Sequence, residues 1–389
     1  MNKMLLPIAI LIVTISLIFY AYFRFKSMLG CWPPVVTYIF TAVYWTMVAA
    51  FFYRMFIGES LNLTLSYISG IIGYNWFFIF IWMIIIIAGL DVLRLLSWLT
   101  RFQPSLILDN IVIVQRVLSI SILFFLVLLI SVGNYRFNHP KVVRLSLNKD
   151  MIENSPVSHE EKTEENSSRL RVVMASDLHM SSYIAARDVE RFAKMINREN
   201  PDIVIFAGDL ADRSIEPLER LNLGRYFGEI NSKYGIFAVP GNHETYGGKR
   251  EDLFNLYRSW GIKVLKDSVC TIEDRVSIVG RDDRSNHRRA SLDTLLKRAG
   301  TEIPVILVDH QPYDLGDYEN RVLLYLGGHT HKGQFWPATA IVKQMYELAY
   351  GYLKRGSTHY YVSSGLGIWG PKIRLGSDSE LVVIDLKYR

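Results

Sequence analysis

The chain has 389 residues, enough for one sizeable domain and something more. Half of its residues are hydrophobic, and its net charge of +6 is unevenly placed: residues 1–150 carry 11 Lys+Arg against 4 Asp+Glu, whereas 151–389 carry 32 against 33. The basic excess thus flanks apolar segments, which argues against nucleic-acid binding, and the two distant cysteines, Cys31 and Cys270, exclude a disulfide framework and a thiolate zinc site.

Four stretches, about 4–23, 35–53, 71–90 and 117–133, are apolar over the roughly 20 residues that a helix needs to cross a bilayer. The first has Lys3 before its apolar run but no small-residue cleavage site, and reads as retained. Residues 91–116 mix Leu, Ile and Trp with Arg94, Arg101 and Arg116 and are expected to lie in the membrane interface. Four spans place both termini on one side. Arg24 and Lys26 outweigh Lys3, and the three arginines of 91–116 outweigh Arg54. This bias puts the first and third loops in the cytoplasm and the second half of the chain outside it, against the opposing Arg136, Lys141, Arg144 and Lys149. Asn75 and Asp91 are isolated and mark no transport path. Residues 1–149 therefore read as a multi-pass anchor in the cell membrane, and the polar, acidic 150–168 as a linker.

From residue 169 apolar runs alternate with helical patterns. The runs 170–175, 203–207, 235–239, 276–279, 303–308 and 322–326 read as strands buried on both faces, with later strands at 359–362 and 381–386. Between the first two, Val189, Phe192, Ala193 and Ile196 recur at helical spacing over 185–198. The chemistry sits where the strands end. The first run exits into Asp177-Leu178-His179, the second into Gly208-Asp209 and the third into Gly241-Asn242-His243-Glu244. Two later runs exit into Asp309-His310 and Gly327-Gly328-His329-Thr330-His331. Ligands of open α/β sheets gather at such carboxyl ends. A lone Asp-x-His is usually satisfied locally, but five strand ends with metal-binding side chains are hard to explain as turns and caps. Carboxylate, imidazole and amide without thiolate suit Mn²⁺, Fe or Zn²⁺. The donors outnumber the needs of one ion, so two divalent ions are expected.

The ordered set DLH, GDL, GNHE, HQP and GGHTHKGQ resembles the calcineurin-like metallophosphoesterase family over the whole of 169–389. GRDD at 280–283 and the tail YVSSGLGIWGPKIRLGSDSELVVIDL look like its membrane-associated bacterial branch, which includes UDP-2,3-diacylglucosamine pyrophosphatase-type enzymes and transmembrane homologues. The resemblance implies an α/β/β/α sandwich following the α-helical membrane domain. It implies that Asp177, His179 and His331 hold one metal, that Asn242, His310 and His329 hold the other, and that Asp209 bridges both. His243 would be catalytic, protonating the leaving group. Asp309 or Glu244 would serve as an imidazole partner or be a turn residue.

Substrate contacts are less marked. Arg281, Arg284, Arg288 and Arg289 cluster after a strand and suit a second phosphate, or form a solvated loop with Asp282 and Asp283. Lys332 follows His331 and either reaches a phosphate or faces water. The aromatic-rich segment beginning at Phe335 and ending at Lys354-Arg355 either rests on the bilayer or packs over a sheet edge. The expected function is a dinuclear phosphohydrolase at the bilayer, cleaving a phosphodiester or pyrophosphate bond in a phosphorylated, lipid-linked or nucleotide-diphosphate substrate, with Mn²⁺ as the foremost metal. The alternatives are an anchored cyclic-nucleotide or general phosphomonoesterase and a non-catalytic, metal-stabilised interaction module.

Overall fold

The structure, a computed structural model, describes residues 5–58, 62–102, 104–148, 169–300 and 302–387; the segment read as a linker lies outside them. The chain divides into two compact units, Met1–Val132 and Gly133–Arg389.

The first unit contains α1 (Leu5–Met28), α2 (Pro34–Phe56), α3 (Leu63–Thr100), the single turn α4 (Ser105–Leu108) and most of α5 (Ile111–Asn138). Among the described residues four helices, α1, α2, α3 and α5, are long and apolar enough to cross a membrane. Their apolar side chains do not sort to one face. Tyr44, Trp76, Phe80 and Leu126 form an interior, while Tyr38, Leu106 and Phe124 point outward. Helices apolar all round suit a lipid solvent. Residues 91–100, part of the segment expected in the interface, continue α3 without a break. The helix stops where Arg101 turns left-handed, three residues before Pro104. Asp91 pairs with Arg24 and Arg94, and Asn75 donates to the Ile71 carbonyl at 2.8 Å, so both polar positions are satisfied locally.

The second unit carries twelve strands among the described residues: β1 (Lys141–Asn148), β2 (Arg169–Ala175), β3 (Ile203–Phe206), β4 (Ile236–Ala238), β5 (Ile262–Val264), β6 (Ser268–Ile272), β7 (Val276–Gly280), β8 (Val305–Val308), β9 (Leu324–Gly327), β10 (Gly351–Arg355), β11 (Thr358–Val362) and β12 (Glu380–Lys387). They form two six-stranded mixed sheets, ordered β1-β12-β2-β3-β4-β5 and β10-β11-β9-β8-β7-β6. The sheets pack face to face. Val172, Met174, Ile205 and Ile384 of the first meet Ile278, Ile306, Leu324 and Leu326 of the second in one core. Alternate residues face outward, so the central strands are buried on both sides.

Helices cover the outer faces. Val189, Phe192 and Ile196 of α6 (Ala186–Arg198) pack with Phe206 and Phe227, the latter from α8 (Gly224–Gly228), which follows α7 (Glu216–Arg220). After α9 (Asn242–Tyr246) and α10 (Arg250–Ser259) comes α11 (Leu292–Ala299), whose Leu292 and Leu295 pack on Val279, Leu307 and Tyr325. A last helix, α12 (Ala338–Met345), follows β9. The result is the expected α/β/β/α sandwich. One boundary differs. Lys141–Asn148, read with the membrane region, is the edge strand β1, paired in parallel with β12 over all eight residues. Its KVVRLSLN sequence alternates as a strand does, but it lies only nine residues after the apolar run ends at Val132.

Candidate metal centre

Strands β2, β3 and β4 are parallel neighbours in one sheet and β8 and β9 in the other, so five carboxyl ends lie side by side. Backbone bonds stitch their exit loops together. The Asp177 and His179 amides donate to the carbonyls of Gly208 and Asp209, both at 3.0 Å, and the Gly328 amide to that of His310 at 2.9 Å. Gly208 has φ +88° and lies against the His310 ring, leaving no space for a Cβ. Asp177, His179, Asp209, His329 and His331 also have positive φ, between 49° and 73°. Each such residue costs about 1–3 kcal/mol, and such strain gathers at functional sites.

The side chains converge in two sets. In the first, Nε2 of His179 and Nε2 of His331 are 3.0 Å apart. Asp177 Oδ1 lies 4.0 Å from the former and 3.6 Å from the latter, and Asp209 Oδ2 is 3.8 Å from His179 Nε2. In the second, His310 Nε2 is 3.1 Å from Asp209 Oδ2 and 3.2 Å from Asn242 Oδ1, which is 2.8 Å from His329 Nδ1. Asp209 belongs to both sets. All seven expected ligands are brought together.

The donor set fits cations. Separations of 3.0–4.0 Å are those between neighbouring ligands whose metal bonds are about 2.0–2.2 Å long. Burial pushes His179 down to about 3, His329 down to about 4 and His331 well below the usual imidazole range. These shifts favour the neutral imidazoles, the form that can ligate a cation. Burial raises Asp177 to about 6. At Asp209 burial is outweighed by the His310 ring, which holds the carboxylate well below its normal range. His310 donates from Nδ1 to the Ala207 carbonyl at 2.7 Å, which turns Nε2 toward the ligands.

His243 stands beside these sets. Its ring centroid is 4.5 Å from that of His179, and it approaches Asp209 closely enough to form a third candidate metal triplet with those two residues. Its Nδ1, however, faces the Asp212 carbonyl at 2.7 Å and Asp212 Oδ1 at 2.9 Å. Burial opposes its charge, but the Asp212 carboxylate, assisted by Asp209, prevails and pushes the ring up to about 9.

Sequence reasoning did not single out Asp212, which is one more loop carboxylate three residues after Asp209. For Glu244 and Asp309 the sequence leaves two readings open, imidazole partner or turn residue. Glu244, fully buried, orients no imidazole; it accepts from the amides of Asp209 at 3.2 Å, Ala211 at 3.1 Å and Gly241 at 2.9 Å. Asp309 turns away from His310 and binds Arg281 at 3.2 Å and Arg289 at 3.0 Å. Arg374, another residue not anticipated, is fully buried and donates to the carbonyls of His331, Gly365 and Gly367.

The basic residues expected to read a phosphate are mostly occupied elsewhere. Arg281 is buried against Asp309 and Tyr318. Arg284 pairs with Asp314 at 2.5 Å over the Tyr313 ring. Arg288 is exposed, and Lys332, half-buried beside His331, holds its Nζ 4.4 Å from the Tyr350 ring centroid.

Residues 170–333 match the calcineurin-like phosphoesterase family. An uncharacterized metallophosphoesterase of Aquifex aeolicus is 33% identical over 225 residues, 56% of this chain and 85% of that one. One from Campylobacter jejuni is 33% identical over 228 residues, 56% of this chain and 59% of its own length. A transmembrane protein with metallophosphoesterase domain from Danio rerio is 32% identical over 244 residues, 58% and 55% of the two chains. The match thus spans less than two thirds of the latter two relatives.

Proposed function

Because the chain belongs to the calcineurin-like metallophosphoesterase family, we propose that it is a membrane-anchored hydrolase using two divalent ions, Mn²⁺ foremost, to cleave a phosphodiester or pyrophosphate bond. The observation that carries this reading is the convergence of seven donors in two sets sharing Asp209. Asp177, His179 and His331 would hold one ion, Asn242, His310 and His329 the other, with Asp209 between. When bound, the pair would supply Lewis-acid activation of water and of the phosphoryl group.

The protein's own residues do the rest. The His310 ring is fixed through Nδ1 by the Ala207 carbonyl, and the His329 backbone is held by its amide on Asp177. His243 is held by Asp212 through Nδ1, which leaves Nε2 to donate a proton to a departing oxygen. Lys332 is the nearest of the expected phosphate readers in sequence to a ligand and would contact a substrate phosphate. Four apolar helices support an anchor, and the basic bias of the first and third loops supports a catalytic domain outside the cytoplasm.

The test is the purified full chain in detergent, assayed for bound metal and for hydrolysis of a diester, a monoester and a lipid pyrophosphate with Mn²⁺. Two metals per chain with turnover of the diester or the pyrophosphate are expected. Turnover of the monoester alone would replace this reading, and two metals without turnover of any ester would leave a metal-stabilised module.

A further inference from the structure

Arg374 is a cation buried to 0% exposure. A buried charge is costly unless it is paired or hydrogen-bonded. Its donors go to main-chain oxygens rather than to a carboxylate. Nη1 donates to the His331 carbonyl at 3.2 Å, and Nη2 to those of Gly365 at 3.0 Å and Gly367 at 2.6 Å. Nη1 also reaches Ser377 Oγ at 3.3 Å. The planar fork of a guanidinium spans these points, as the compact ammonium of a lysine does not.

The three carbonyls belong to two loops behind the first ligand set. His331 opens the run His331, Lys332, Gly333 and Gln334, all with φ between 49° and 70°, a region that only the glycine adopts freely. Such a turn persists only where its surroundings over-determine it. The segment 371–377 supplies them. Besides Arg374 on His331, the Gln334 side chain donates to the Pro371 carbonyl at 3.0 Å. The Gln334 carbonyl accepts from the Leu375 amide at 3.1 Å and from the Ser377 hydroxyl at 2.7 Å. The other loop lies against the exit of β2. The Leu366 amide donates to the Ser176 carbonyl at 2.9 Å, and a Cβ at Gly367 would stand 2.1 Å from the Leu178 carbonyl oxygen. Arg374 therefore joins the turn bearing His331 to the loop that backs Asp177. Those two donors stand 3.6 Å apart, Nε2 to Oδ1. The second set is anchored elsewhere, His310 by the Ala207 carbonyl and Asn242 at the start of α9. Of that set only His329 shares a loop with the clamp.

We propose that Arg374 is a positioning residue for the first ligand set, holding His331 against Asp177, so that tight binding of one ion depends on it and binding of the other does not. The clamp stands on geometry; its consequence for metal rests on the ligand assignment proposed above.

The test titrates the metal-free full chain in detergent with Mn²⁺, reading free and bound ion by electron paramagnetic resonance. In Arg374→Lys one ion is expected to weaken at least about tenfold, the usual worth of a group that orients a ligand, and the other by less than about threefold. The spectrum of a coupled pair should give way to that of an isolated ion. Two further variants assign the set. Asn242→Ala is expected to keep one tightly bound ion, and none once Arg374→Lys is added. His179→Ala is expected to keep one ion whether or not Arg374 is changed. Ser377→Ala, which removes a tie of the same strap without adding bulk, should weaken the same ion more mildly, and it decides the matter if Arg374→Lys does not fold. Affinities unchanged in Ser377→Ala and in any folded Arg374→Lys overturn the clamp and leave the two-ion reading standing. Equal weakening of both ions, as a merely structural role would give, overturns it as well. Fewer than two ions in the unaltered chain remove the two-ion reading, and the role of the clamp in metal binding with it.

Discussion

His243 directs Nδ1 at the carbonyl and the carboxylate of Asp212, 2.7 and 2.9 Å away, rather than at the neighbouring ligands. A ring held this way keeps Nε2 for the substrate. His243→Ala is therefore expected to keep both metals while turnover falls about 10²–10⁴-fold, the usual worth of a general acid. The loss should shrink for a nitrophenolate leaving group, which needs no proton. Asp212→Ala should act in the same direction but more weakly, because the carbonyl of residue 212 remains. Metal loss from His243→Ala with recovery in excess Mn²⁺ would make His243 a ligand instead.

Asp209 serves both ligand sets. Asp209→Asn is expected to lose at least one metal equivalent and nearly all hydrolysis. Two full equivalents with ordinary turnover would refute the bridging role.

Chelation has its own signature. The Nε2 atoms of His179 and His331 stand 3.0 Å apart, as two ligands of one ion would. Removing metal from the full chain is expected to lower its melting temperature, and Mn²⁺ at a hundredfold excess over Kd should restore about 2.7 kcal/mol per site. A melting temperature indifferent to chelator and to Mn²⁺ would count against an ion at these residues.

Glu244 joins three backbone amides from two strand exits and accepts from Tyr257 at 3.1 Å. Each buried donor left unpaired costs about 1–3 kcal/mol, so Glu244→Ala is expected to lose about 3 kcal/mol or more. Glu244→Gln should lose less. Thermal unfolding in detergent measures both, and a stability unchanged in Glu244→Ala would show that water replaces the carboxylate.

Sidedness is checked with Ser158→Cys in a chain whose native cysteines are replaced. A membrane-impermeant thiol reagent is expected to label it on intact cells. Labelling only after lysis would reverse the orientation and move the substrate to the cytoplasmic leaflet.

The candidate ligands were legible in the sequence because each follows a continuous apolar run, and the carboxyl ends of neighbouring parallel strands lie together. The roles around them were not. Asp212 and Glu244 are carboxylates in loops, and only the fold decides that one holds a ring and the other holds amides. Arg281 reads as a phosphate ligand until Asp309 and Tyr318 are seen to close around it. The strands β5, β6 and β10 escaped notice because, at three to five residues and partly exposed, they lack the buried apolar run that marked the others. The left-handed backbone at five of the candidate ligand positions leaves no trace in residue type, since Asp and His carry no such requirement.

The parallel ladder between β1 and β12 has a practical consequence. A soluble fragment begun at the acidic stretch after residue 149, where composition invites the cut, would discard the outermost strand. Glu380–Lys387 would then become the sheet's edge, keeping its ladder to β2 but exposing the row of backbone groups that β1 had satisfied, the kind of edge that recruits other chains. Such a fragment is expected to aggregate, whereas one that retains Lys141–Asn148 keeps β12 covered by its native edge strand, so severing this domain from its membrane is best done upstream of its first strand.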